Sequence, residues 1–154
     1  MFTSILVGVD RSLHARVALT QAVDIARTQQ ASLTVVVAYT TKMPWAPVAP
    51  LSQGAVDEYD AAVRSEADAI ADEARSAIPP ELNADVVVVD EAPAQALLDR
   101  AAAGNHDLIV VGSRGRGDAG SFLLGSVSHA VLYHSRVPVL IVHVPSEEAA
   151  ESSP

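Results

Sequence analysis

The chain has 154 residues, 49% of them apolar, a formal charge of −9 and no cysteine. That length fits one domain with one substantial core, and the missing cysteine excludes disulfide and thiolate chemistry. The acidic balance argues against bulk attraction to nucleic acid or to an anionic membrane.

Aromatic residues are few: two Phe, three Tyr and one Trp. Ala and Val carry the apolar content instead, which suits a parallel sheet covered by close-packed helices. The opening MFTSILVGVD has no basic segment and no cleavage site, so no signal peptide is expected. No apolar run approaches the roughly 18 residues of a membrane span. A cytoplasmic protein with no membrane partner and no nucleic-acid partner is the expectation.

Residues 4–9 (SILVGV) read as a strand buried on both faces, ended by Asp10. Ser12 is a fitting N-cap for a helix over residues 13–28, whose apolar residues recur at helical spacing. Residues 32–38 (SLTVVVA) form a second β-branched strand. Residues 40–54 hold Pro44, Trp45, Pro47 and Pro50 and read as an irregular loop. A long helix with an acidic outer face follows over residues 55–78, stopped by Pro79 and Pro80. Residues 84–89 (ADVVVV) make a third strand. Pro93 opens a short helix over residues 93–103, closed by Gly104. Residues 108–111 are a fourth strand, 125–133 the core of the last helix, and 137–144 (VPVLIVHV) a fifth strand. The domain is expected to span residues 1–145. The acidic tail 146–154 (SEEAAESSP) lacks the apolar content to fold.

Strictly alternating strands and helices predict an α/β fold: an open parallel five-stranded sheet with helices on both faces. Ligands in such sheets sit beyond the carboxyl ends of the strands, where the strand order reverses. Two loops look chemically special, residues 9–12 after the first strand and residues 112–126 after the fourth. Placing them side by side predicts the strand order 3-2-1-4-5.

The second of these loops is the richest in chemistry. The stretch LIVVGSRGRGDAGSFLLGSVSH (residues 108–129) runs strand, glycine-rich loop, helix. Glycines let backbone N–H groups approach a phosphate without a Cβ in the way. The helix that follows turns its free N–H groups and positive dipole end to the same place. Arg114 and Arg116 add local positive charge to an acidic chain, which favours a small anion over a polyanion. Arg114 lies between Gly112 and Gly115 and is the better placed of the two.

Each signal also has a plainer reading. Gly112 and Gly115 fit a tight turn, Gly125 fits helix packing, and Ser126 and Ser128 fit helix capping. Asp10 fits a cap as well as it fits two ribose hydroxyls. The five histidines offer no zinc-like spacing: His129 and His134 share one helix but lie on different faces. No metal site built from side chains is expected, though Mg²⁺ or Mn²⁺ could arrive with phosphates. The P-loop pattern is absent, and the only lysine, Lys42, lies far from the glycines. With no general base or Ser–His–Asp arrangement evident, no catalytic residue is expected.

The spacing Gly112-x2-Gly115-x9-Gly125-Ser126, with ILVGVDRS at the start and HSRVPVLIV near the end, resembles the universal stress protein family of ATP-binding type. The resemblance covers residues 5–144. It implies a flavodoxin-like fold and a homodimer joined through the last strand, Val137 through Val144. It also implies an adenine nucleotide at the tips of the first and fourth strands. Asp10 should meet the ribose or adenine edge, with Gly8 and Val9 in the same block, and Ala38 should line the adenine pocket. Gly112, Ser113, Arg114 and Gly115 should wrap the phosphates from one side. Gly125, Ser126, Val127 and Ser128 should do so from the helix N-terminus. The implied role is nucleotide-dependent regulation in a stress response. Cyclic AMP in the same pocket and a slow ATPase or phosphotransferase are the alternatives. The loop around Trp45 departs from any family pattern.

Overall fold

The computed structural model describes residues 1–43, 47–115 and 124–145. Among them, strands and helices alternate in the order β1 (Ser4–Gly8), α1 (Leu13–Gln29), β2 (Ser32–Tyr39), α2 (Gln53–Ala77), β3 (Ala84–Asp90), α3 (Pro93–Ala103), β4 (Leu108–Gly112), α4 (Ser126–His134) and β5 (Val139–Val142). The strands form one sheet in the order β3-β2-β1-β4-β5, and every pairing is parallel. That is the order expected from the two loops. Trp45, Arg116, Gly117, Gly120 and the tail 146–154 lie outside the described residues.

Alternation along the central strands assigns the faces. Ile5, Val7, Leu33, Val35 and Val110 pack with Ala18 and Leu19 of α1 and Ala74 of α2. Leu6, Val36, Ile109 and Val111 point the other way, onto Ala96 and Leu97 of α3 and Val131 of α4. Ile5, Leu6, Val7, Ile109 and Val110 have no exposed surface, and each contributes roughly 1.5–3 kcal/mol by leaving water. The alanines at the helix contacts (Ala18, Ala22, Ala26, Ala67, Ala71) let the helices lie close to the β-branched sheet surface.

Several boundaries differ from the expected ones, most by a single residue. The loop after β2 ends sooner, because the Ser52 Oγ accepts the Ala55 N–H at 3.2 Å and draws Gln53 and Gly54 into α2. That helix stops at Ala77, one residue before the expected end, with Ile78 already extended. The last strand is only Val139–Val142, half the expected length. The Ser135 Oγ takes both backbone groups of Val137, accepting its N–H at 3.1 Å and donating to its carbonyl at 2.7 Å. Gly125 is the cap of α4 rather than part of it.

The amino ends of β1 and β4 are stapled by two residues that precede β4. The Asp107 carboxylate accepts the Thr3 N–H and hydroxyl at 2.8 Å each and the Ser4 N–H at 3.0 Å. Partial burial pushes its pKa up, but those hydrogen bonds outweigh it and hold the group below the usual carboxylate value. His106, only 8% exposed, sits beside it with Nδ1 at 2.8 Å from the Ser4 hydroxyl. Burial lowers its pKa, the Arg100 charge lowers it further, and Asp107 opposes both.

Candidate functional site

A cleft opens at the carboxyl ends of β1 and β4. This is where the strand order reverses. Gly8, Val9 and Asp10 reach it from β1, and Ala38 from the end of β2. Gly112, Arg114 and Gly115 come from the end of β4, and Val127 and Ser128 from α4. Ser126 faces a shallower continuation that runs past Tyr39 and Thr40 towards Val63 and Glu66 of α2. Ser113 and Gly125 are not among the wall residues of either space. Val36, Pro93, Leu97 and Val111 supply an apolar floor that sequence reasoning did not single out. Pro93 and Leu97 stand one helical turn apart on α3, a spacing that core packing explains equally well, so only the tertiary fold reveals them.

Gly112 is fixed by the approach of α1. A Cβ there would lie 2.8 Å from the backbone carbon and Cβ of His14 and 3.0 Å from the Ala15 N. The first turn of α1 can rest on β4 only if residue 112 has no side chain. Gly115 meets the site instead: its Cβ would stand 3.0 Å from Oδ2 of Asp10. The Asp10 carboxylate also accepts the Ser12 N–H through Oδ1 at 2.8 Å, and the Ser12 Oγ caps α1 by accepting the Ala15 N–H at 3.1 Å. Capping belongs to Ser12, and Asp10 orients the capping residue while lining the cleft.

Ser113 joins four elements. Its N–H donates to the Val142 carbonyl of β5, and its own carbonyl accepts the Gly125 N–H, both at 2.8 Å. The Ser128 Oγ stands 3.0 Å from the carbonyls of both Ser113 and Gly125 and shares its proton between them. The Ser113 hydroxyl lies 3.0 Å from Nδ1 of His14 on α1 and 3.0 Å from Nδ1 of His143 beyond β5. With Ser113 4% exposed and Ser128 2% exposed, these hydroxyls tie backbone to backbone.

What remains for a ligand is the N-terminus of α4. Its ladder begins with His129 N–H to the Gly125 carbonyl at 2.9 Å. The N–H groups of Ser126, Val127 and Ser128 precede that bond and have no partner within the helix. Gly125 makes no side-chain cap over them. They add the positive end of the helix dipole to the charge of Arg114. The cleft thus brings a carboxylate, hydrogen-bond donors, a cation and apolar walls together, with Asp10 close to Gly115. Phosphates suit those donors, and hydroxyl donors suit Asp10. No group of three or more His, Asp or Glu among the described residues could hold a metal ion. No helix among them is long and apolar enough to cross a membrane.

Residues 1–143 match the sequence profile of the Universal stress protein family. The chain belongs to the universal stress protein family. Universal stress protein YxiE of Bacillus subtilis is 34% identical over 147 residues, covering 92% of this chain and 99% of its own. Among solved structures, universal stress protein UspA from Lactobacillus plantarum superposes with a TM-score of 0.78 at 27% identity, covering 91% of this chain and 97% of that one. A universal stress protein crystallised in complex with cAMP superposes with a TM-score of 0.60 at 30% identity, covering 92% of this chain and 97% of that one. Family membership accounts for the flavodoxin-like sheet and its order.

Proposed function

We propose that this universal stress protein binds ATP in the cleft between Asp10 and the N-terminus of α4, and that nucleotide occupancy regulates its partners. The observation that carries the reading is the polarity of the cleft. Asp10, Arg114 and the first residues of α4, Val127 and Ser128, line one space with an apolar floor. Adenosine would lie along Ala38, Pro93 and Leu97 with its ribose hydroxyls donating to Asp10. The phosphates would meet Arg114, Gly115 and the amides of Ser126, Val127 and Ser128, with Gly112, Ser113 and Gly125 holding those groups in position. Any Mg²⁺ or Mn²⁺ would come with the phosphates rather than with protein ligands. Calorimetry on protein stripped of carried-over ligand tests this: ATP should bind with a stoichiometry of one per chain, and no heat at millimolar nucleotide overturns it.

The relative crystallised with cAMP favours a second reading, cyclic AMP in the same space. One cyclic phosphate would engage the α4 amides and leave Arg114 with less to bind. Competition between the two nucleotides decides which is preferred. We assign no catalytic residue. Among the described residues Asp10 is the one carboxylate on the principal cleft wall, and it is hydrogen-bonded to Ser12.

We further propose a cytoplasmic homodimer joined through β5. That strand is an edge of the sheet, its four residues are only partly buried, and Leu132 and Tyr133 of α4, a helix in contact with it, are 50% and 77% exposed. An open apolar edge invites a second strand.

A further inference from the structure

Two histidines outside the cleft converge on the one residue that holds both halves of the glycine segment. His14 and His143 are 129 positions apart in sequence (143 − 14), yet their ring centroids lie 5.6 Å apart. Each places Nδ1 3.0 Å from the Ser113 hydroxyl. Neither is on the wall of the cleft.

The direction of the hydrogen bonds follows from a third contact. The Val144 N–H donates to Nδ1 of His14 at 3.3 Å. That nitrogen is therefore an acceptor, and the His14 ring proton sits on Nε2. If the Ser113 hydroxyl turned its proton to His143, two lone pairs would face each other across 3.0 Å on the His14 side. The arrangement that avoids this runs one way: His143 Nδ1–H to Ser113 Oγ, and Ser113 Oγ–H to His14 Nδ1. Both histidines direct their Nδ1 to Ser113, so their rings reach the cleft through it.

We infer that His14 and His143 are positioning residues for the phosphate end of the nucleotide site. Ser113 lies between Gly112 and Arg114, so a rotation of its backbone moves the Arg114 guanidinium and Gly115. Its carbonyl anchors Gly125 and Ser128, so the same rotation turns the first amides of α4. The histidines fix that rotation from α1 on one side and from the end of β5 on the other. This inference rests on the nucleotide reading of the cleft. It adds that the affinity for phosphate is set from outside the cleft by residues the ligand never touches.

The test compares ATP with adenosine, which lacks the phosphates, in calorimetric titrations of the full chain. Asparagine places an amide near the position of Nδ1 without a titrating ring, so His14→Asn and His143→Asn keep the bridge, whereas His14→Ala and His143→Ala remove it. The alanine variants should lose about tenfold in ATP affinity and stay within about twofold for adenosine, with the asparagine variants restoring most of the loss. Equal losses for both ligands would reduce the histidines to general stabilisers and overturn the proposal, as would unchanged ATP affinity. Wild-type protein that binds neither ligand would instead remove the nucleotide reading itself. Nitrogen-15 spectra of the wild-type imidazoles give a second check that needs no variant. His14 should show an unprotonated Nδ1 and His143 a protonated one, and the reverse pattern overturns the chain.

Discussion

The Gly125 N–H donates to the Ser113 carbonyl across 2.8 Å. Those two residues begin and end the glycine-rich segment, and their bond closes it at the base. Gly112 and Gly115 on one side and Ser126 to Ser128 on the other belong to a single clamp because of it.

Gly112→Ala and Gly115→Ala should separate the two jobs that glycine does here. At position 112 a methyl group meets the α1 backbone at 2.8 Å, so the helix must move, at a cost of about 1–3 kcal/mol. Urea denaturation should show the lower midpoint. At position 115 the neighbour at 3.0 Å is the end of the Asp10 side chain, which can swing. That variant should unfold near the wild-type midpoint while its nucleotide affinity falls. A drop in stability at 115 as large as at 112 would contradict the division.

Asp10→Ala removes the acceptor for the Ser12 N–H and the carboxylate of the cleft together. Loss of hydrogen bonds to a charged acceptor should weaken adenosine and ATP alike by about tenfold or more. Competition binding with both ligands measures it. A loss confined to ATP would place the carboxylate at the wrong end of the ligand.

Acid should destabilise the fold in two steps. His106 has a pKa below its ordinary value of 6.5, so the unfolded chain takes up a proton more readily than the native one. Stability is complete above pH 6.5 and declines as pH falls from there to the depressed native value. Asp107 is depressed below 3.8 and adds a second loss as pH falls below that value. Thermal melts from pH 8 to pH 3 should trace both steps. In His106→Asn, which keeps a partner for the Ser4 hydroxyl, the upper step should vanish and the lower one remain.

The outer edge of β5 offers a clean probe of association. Pro138 and Val142 turn their carbonyls to β4, accepting the N–H groups of Ile109 and Ser113. Strand alternation then turns the backbone groups of Val139 and Ile141 outwards. A proline is tolerated where the N–H faces away from the sheet. Ile141→Pro should therefore leave the protomer folded and abolish the proposed dimer. Sedimentation at micromolar concentration reads the result, and an unshifted dimer would exclude β5 as the contact.

The fold was legible because hydrophobic runs and breakers alternate so regularly, and the sheet order followed from two loops that needed to be neighbours. Ser52 escaped notice as a cap because three prolines nearby made the whole region read as loop, although the Ser-Gln-Gly-Ala stretch carried the signal. The shortened β5 was hidden because the Ser135 side chain competes for the backbone of Val137, a local bond that apolar periodicity does not register. In the cleft, residues carrying a chemical motif were visible, whereas Pro93 and Leu97 were not. His14 and His143 looked scattered in sequence, because only the parallel crossovers bring their positions together at Ser113.

The staple made by His106 and Asp107 grips the amino ends of β1 and β4, and the cleft opens at their carboxyl ends. Four steps along β1 from Ser4 to Gly8 separate the two, roughly 13 Å at strand rise. Changes that far apart and without shared partners add independently. Substitutions at the cleft pole can therefore accumulate while the other pole keeps the chain folded, which makes this architecture a durable chassis for divergence.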